Sequence, residues 1–200
     1  GNASIGDMSA KNWTIGDWIA GAEKISGERM AEEYTVKNFR CPNCVIACGK
    51  TVKIARGKFK GTVAGGPEYE TLAGFRSQVL IEDLAVILEA NDLCNRAGID
   101  TISLGVTISF LYEAEEKGYI DFPDSYPKST WGNGDTLIFL INETINQRGL
   151  GVLIGKGVKR FSEYLGGQTK DFAMHVKGLE FPFHDPRALS SLAVSYATYG

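Results

Sequence analysis

The stretch from Glu82 to Lys117 most constrains what this chain can fold into, because it reads as two apolar helices joined at a glycine. Residues 82–97 carry a narrow polar stripe of Glu82, Glu89, Asp92 and Arg96, and the remainder is dominated by Leu84, Val86, Ile87, Leu88, Leu93 and Cys94. A helix that is apolar around most of its girth is largely buried. Gly98 predicts a stop in the left-handed conformation that glycine adopts most easily. Asp100 predicts the N-cap of a second helix over 101–117, which Gly118 ends.

Further helices are expected around this pair. Trp18, Ile19, Ala22 and Ile25 recur at helical spacing within 16–27. Helices at 135–148 and 155–165 are stopped by Gly149 and by Gly166-Gly167, and a last helix starts near Ala188. A short β-hairpin is expected within 51–64, where Thr51-Val52-Lys53-Ile54 and Phe59-Lys60-Gly61-Thr62-Val63 flank Arg56-Gly57-Lys58. Gly65-Gly66-Pro67 then turns the chain, with Pro67 suited to the first position of a helix. Segment 172–177 is a further candidate strand, and His184-Asp185-Pro186-Arg187 a turn. The fold class is therefore mainly α and multihelical, with a small β-hairpin near the cysteines. The Pro-, Ser-, Gly- and Asp-rich stretch from Asp121 to Gly134 is the best boundary, dividing a helical domain over 1–125 from the start of a second, truncated one over 126–200.

Cys41, Cys44 and Cys48 fall within eight residues as C-x-x-C-x-x-x-C, and Cys94 is the only other cysteine. The chain has no apolar stretch of membrane-spanning length, and Gly1-Asn2-Ala3-Ser4 lacks the shape of a signal peptide. A formal net charge of −3 argues against a nucleic-acid surface or a basic membrane patch. These features point to the cytoplasm, where clustered cysteines favour metal over disulfides. Thiolates bind soft metals, and a close run lets one loop wrap several corners of an iron–sulfur cluster. Structural zinc is the rival reading, though it usually pairs two C-x-x-C units or adds histidines. Cys94 reads as a small hydrophobe on a buried helix, with a fourth-ligand role as the alternative. On spacing alone, a stand-alone iron–sulfur or zinc module that binds a partner or carries electrons remains open.

An ordered set of short motifs narrows this. Asn38-Phe39-Arg40-Cys41-Pro42 is followed by Gly66-Pro67-Glu68-Tyr69-Glu70-Thr71-Leu72, then by Asn95-Arg96-Ala97-Gly98-Ile99-Asp100-Thr101-Ile102-Ser103. Trp131-Gly132-Asn133-Gly134-Asp135, Arg148-Gly149-Leu150-Gly151 and Val176-Lys177-Gly178-Leu179-Glu180 come next. Asp185-Pro186-Arg187 and Ser195-Tyr196-Ala197-Thr198 close the set. Across nearly the whole length, the chain resembles the aldehyde:ferredoxin oxidoreductases, a superfamily that includes the tungsten subunit of class II benzoyl-CoA reductases.

The resemblance implies the second domain and the start of the third of an enzyme that oxidises aldehydes to carboxylic acids at a tungsten (or molybdenum) bis-pterin. Electrons would pass through a [4Fe–4S] cluster to ferredoxin, and the parent enzyme could be a homo-oligomer. It makes Cys41, Cys44 and Cys48 cluster ligands, with the fourth cysteine beyond Gly200, so that cluster and pterin would each be incomplete in this stretch. It makes Asn95, Gly98, Ile99 and Asp100 the first pterin-contacting segment, in which Asn95 replaces the family's usual aspartate. A carboxylate such as Asp100 suits the N–H edge of a pterin. It assigns proton transfer to Glu70 rather than Glu68, since oxidising an aldehyde requires a group that moves a proton. The family's partner histidine would fall after Gly200, so neither His175 nor His184 takes a catalytic role.

Overall fold

The computed structural model describes residues 7–16, 18 and 25–198. The helix expected over 16–27 therefore lies largely outside the described residues. The first described helix, α1 (Gly27–Glu33), begins where that expectation ended, and the Ser26 side chain caps it by accepting from the Arg29 N–H.

A three-stranded antiparallel sheet follows, in the order β1 (Thr35–Phe39), β2 (Gly49–Lys53), β3 (Val63–Gly65). The expected hairpin is present as β2–β3, with Thr51 opposite Gly65 and Lys53 opposite Val63. Its second strand starts later than Phe59, because hydrogen bonds from Gly61 N–H to Ile54 O and from Ile54 N–H to Thr62 O close a loop first. The partner β1 was not foreseen; it flanks the far side of the cysteine run, with Phe39 opposite Gly49. Val52, Ile54 and Ala64 point into the core.

Pro67 does not open the next helix. Glu68 is the N-cap of α2 (Tyr69–Leu72), which runs directly into a π-helix over Ala73–Gln78. The central pair then forms as expected. Asp83 caps α3 (Leu84–Ala97) by accepting from Ala85 N–H, and Gly98 takes φ 68°. Its N–H bonds to Asn95 O while Ile99 N–H bonds to Cys94 O, the two bonds of a Schellman stop. Asp100 accepts from Ser103 N–H at 2.7 Å and starts α4 (Thr101–Glu116). Asn91 donates to Gly65 O and so ties α3 to the sheet edge.

The later helices depart from expectation in instructive ways. α5 (Gly134–Ile145) ends before Gly149, because Gln147 at φ 51° already turns the chain. The helix expected over 155–165 starts later, as α7 (Val158–Leu165), and a short α6 (Gly151–Ile154) that was not foreseen precedes it, the two separated at Gly157. The Glu180 carboxylate accepts the Val158 N–H at 2.6 Å, so a distant acid caps α7. A 3-10 turn over Thr169–Asp171 follows. Segment 172–177 forms no strand; Val176 bridges only to Leu179, because Lys177 and Gly178 both take positive φ and reverse the chain at once. α8 (Ser190–Thr198) comes last. One hydrophobic cluster runs through α3, α4, α5 and α7, with Phe110 packed edge-on to Phe161 and stacked on Phe172. Among the described residues, no helix is long and apolar enough to cross a membrane.

Candidate active site and cysteine loop

Glu70 lies in the first turn of α2, and close packing behind it sets what it meets. The π-helix crosses α4 at a pair of glycines: a Cβ on Gly105 would lie 3.0 Å from Gly74 Cα, and a Cβ on Gly74 would lie 2.8 Å from the Phe183 ring. Only two residues without side chains allow this approach. It seats the fully buried Phe183 against both helices, and the next residue, His184, emerges beside Glu70.

The Glu70 carboxylate meets a partner at each oxygen, a hydrogen bond at one and a longer contact at the other. Oε2 accepts the Phe183 N–H at 2.8 Å, and Oε1 lies 3.4 Å from His184 Nε2. The His184 ring stacks on Tyr69 with centroids 4.9 Å apart, and its Nδ1 is 2.8 Å from Asp7 Oδ2. The Asp7 side chain is buried, and its other oxygen has no hydrogen-bond partner among the described residues. Partial burial pushes the Glu70 carboxyl above the ordinary carboxylate range, reinforced by the negative charges of Asp7 and Asp100; the Phe183 N–H and His184 oppose the shift. Glu68, by contrast, is an exposed N-cap whose side chain makes no capping bond.

The N-terminal segment is fixed to the same framework. Lys11 N–H and Asn12 N–H donate to Ser77 O and Gln78 O of the π-helix, and the buried Gln78 amide bridges Ser9 O and Trp13 N–H. Asp185 N–H donates to Asp7 O. These bonds carry Asp7 to His184 across 177 residues of sequence. Sequence reasoning gave His184 no catalytic role, because the resemblance places the family's partner histidine after Gly200. The only signal available was the scarcity of histidine, two in the whole chain, with one of them next to a proline–arginine turn.

A cavity of about 590 Å³ opens next to this cluster, walled by Asp100, Ile102, Ser103, Lys177, Phe181, Pro182 and Tyr196 among others. Of the four residues expected to touch a pterin, Asp100 is in this wall; Asn95 and Gly98 are exposed, and Ile99 is half-buried at the start of the junction. The wall combines apolar surface with an anionic and a cationic side chain, a donor set that can hold a flat, polar-edged heterocycle. Tyr196 reaches back toward His184 O at 3.4 Å.

The cysteine run occupies the excursion between β1 and β2. Cys41 and Cys48 are exposed, Cys44 is half-buried, and none is in a disulfide. Cys44 N–H donates to Cys41 O, making a tight turn, and Asn43 and Ala47 take positive φ. Val45 and Ile46 project outward at 88% and 75% exposure. Among the described residues, no three His, Cys, Asp or Glu side chains converge where a single metal ion would sit. Cys94 is fully buried in α3, where desolvation pushes its thiol up to about 12. It is a neutral thiol packed in the core.

Comparison with known proteins agrees with these observations. The pattern described as aldehyde ferredoxin oxidoreductase, domains 2 and 3, matches residues 2–199. A tungsten-containing aldehyde ferredoxin oxidoreductase of Thermococcus kodakarensis is 38% identical over 175 residues, covering 86% of this chain and 28% of the relative. One from Pyrococcus furiosus is 36% identical over 191 residues, covering 94% of this chain and 30% of the relative. The chain thus spans less than a third of the length of these relatives. In the active site complex BamBC of benzoyl coenzyme A reductase, a solved chain superposes with a TM-score of 0.67 at 21% identity, covering 78% of this chain and 23% of that one, which shows a shared fold. The matched span and these relatives make the chain a member of the aldehyde ferredoxin oxidoreductase family, in the region of its domains 2 and 3.

Proposed function

We propose that this chain is the portion of a tungsten- or molybdenum-pterin oxidoreductase that supplies the proton-transfer carboxylate, one pterin contact and three cluster ligands, in an enzyme converting an aldehyde and water to a carboxylate and passing electrons to ferredoxin. The observation that carries this reading is the half-buried Glu70, hydrogen-bonded at one oxygen and facing His184 at the other, next to a cavity whose wall contains Asp100. Glu70 is not itself in that wall; it bonds to Phe183, which follows the wall residue Pro182, and lies close enough to Asp100 to feel its charge. The same reading divides the chain into a helical region over 1–125 and the start of a second over 126–200.

The pterin-bound metal would supply the two-electron chemistry, and the protein's residues would orient and protonate. Asp100 offers acceptor oxygens to the N–H edge of a pterin at the start of α4, with Asn95, Gly98 and Ile99 completing the segment. Lys177 adds positive charge to the same cavity lining, suited to an anionic pterin substituent. Glu70 takes and returns the proton that water loses when its oxygen joins the carbonyl carbon. Its raised proton affinity suits that task, since an acid/base group works best near the operating pH.

Cys41, Cys44 and Cys48 would each bind a separate iron of a [4Fe–4S] cluster, an arrangement that needs no convergence of the three sulfurs on one point. The exposed turn between two strands supports it, since three thiols from one short loop can reach three corners. In the full-length protein, iron and tungsten analysis of the wild type and of Cys44→Ser tests this part. Unchanged iron and unchanged ferredoxin reduction in the variant would reject Cys44 as a ligand.

A further inference from the structure

We propose that Asp7, His184 and Glu70 form a proton-sharing triad in which His184 is the positioning residue that exchanges a proton with Glu70. The inference rests on Glu70 being the acid/base group, and it adds a partner to that group from within this chain. The geometry is directional. Buried Asp7 has an oxygen 2.8 Å from Nδ1, and Nε2 faces Glu70 Oε1 at 3.4 Å. A carboxylate at Nδ1 fixes the proton there and leaves the Nε2 lone pair turned to Glu70. The ring has little freedom to do otherwise, being stacked on Tyr69 and anchored by Phe183 at its own backbone. Nε2 and Oε1 stand 3.4 Å apart, and such contacts commonly tighten when a site fills.

The step balances without any further reagent. The O–H bond at Glu70 Oε1 breaks and an N–H bond forms at His184 Nε2, leaving a Glu70 carboxylate and an imidazolium. Asp7 keeps its negative charge, accepts the Nδ1–H and compensates the positive ring. The His184 ring is one-third exposed, so the imidazolium releases the proton to solvent and returns to the neutral form, which empties Glu70 between turnovers although it is partly buried. Other ionisable groups face this pair as well: Tyr69 from α2, Asp100 from the start of α4 and Tyr196 from α8. All but His184 are neutral or negative, so His184 is the one neighbour among them able to accept the proton as a cation.

The test uses the full-length protein and isotope-edited infrared spectroscopy, with the Glu70 carboxyl band assigned by its loss in Glu70→Gln. In His184→Phe, which keeps a ring against Tyr69, the Glu70 midpoint should rise by about one pH unit, a tenfold change in proton affinity. The acid limb of kcat/KM should move by the same interval, a coupling that a merely structural role would not produce. An unchanged midpoint in a folded His184→Phe overturns the proposal. If that variant does not fold, the ring ¹⁵N shifts of the wild-type histidine decide: the Nδ1–H tautomer supports the triad, and the Nε2–H tautomer overturns it. A Glu70→Gln enzyme with full turnover would instead sink the assignment of Glu70, and with it the catalytic meaning of the pair, independently of the infrared midpoint.

Discussion

The pocket around Glu70 and the loop around Cys44 are built in opposite ways. Glu70, His184 and Asp7 come from three distant parts of the sequence and are fixed by packing and by hydrogen bonds from the π-helix, the Phe183 backbone and the N-terminal segment. The cysteine run is continuous in sequence, lies between two strands, and projects Val45 and Ile46 away from the core. Asn43 and Ala47 sit in left-handed backbone there, which costs an L-residue such as alanine about 1 kcal/mol. One region obtains its geometry from the fold, whereas the other, on the function proposed above, would obtain much of its geometry from the cluster its thiols bind.

That contrast can be broken most decisively at the loop. In the full-length protein, Cys44→Ser should lower bound iron and abolish electron delivery to ferredoxin while leaving bound tungsten in place; parallel metal analysis and ferredoxin reduction check it. Loss of both metals together would mean the two regions are not independently built. Next in size, Glu70→Gln should slow turnover by roughly 10²-fold with the cofactor retained, and Glu68→Gln should have little effect, as expected when only one of the two acids is an acid/base group. Steady-state kinetics of both variants decide between the carboxylates.

Smaller effects sharpen the comparison. Gly105→Ala should destabilise by about 1–3 kcal/mol, because its methyl meets Gly74 backbone in a close-packed crossing. Thermal unfolding reads this, with iron content unchanged. Cys94→Ala should cost about 1 kcal/mol through lost packing and likewise leave iron untouched. The smallest effect is a pH dependence. Burial raises the folded Glu70 carboxyl above its ordinary 4.5, so the protonated form's stability is fully present below that value and is lost as pH rises through the raised one. Glu70→Gln lacks this loss. Its melting temperature relative to wild type should therefore climb as pH rises from about 4.5 and then level off. A flat difference would mean that Glu70 is ordinary in the folded state.

The parts legible in the sequence were those whose causes are local. The α3–Gly98–α4 junction follows from residues within a turn of one another: a Schellman stop and an aspartate cap. The choice of Glu70 over Glu68 needed the family's motif, since on sequence both are acids at a helix start. What the sequence could not supply came from far away in the chain. α7 starts at Val158 because Glu180 caps it, the hairpin gains β1 from before the cysteines, and His184 acquires its partners from residues 7 and 70. No window around Pro182-Phe183-His184 carries that information, because the pairing depends on two glycines crossing elsewhere.

The bond between Asp7 and His184 spans 177 residues, the Glu70–Phe183 bond 113. Closing the longer span instead of the shorter adds only a few tenths of a kcal/mol of chain entropy. Its larger consequence is one of timing during synthesis. Glu70 emerges from the ribosome long before residue 184, and until the later segment docks it is an ordinary surface acid. The raised proton affinity of Glu70 is therefore acquired only after residues 183 and 184 have been made and have docked, so shorter products carry the carboxylate in its ordinary form.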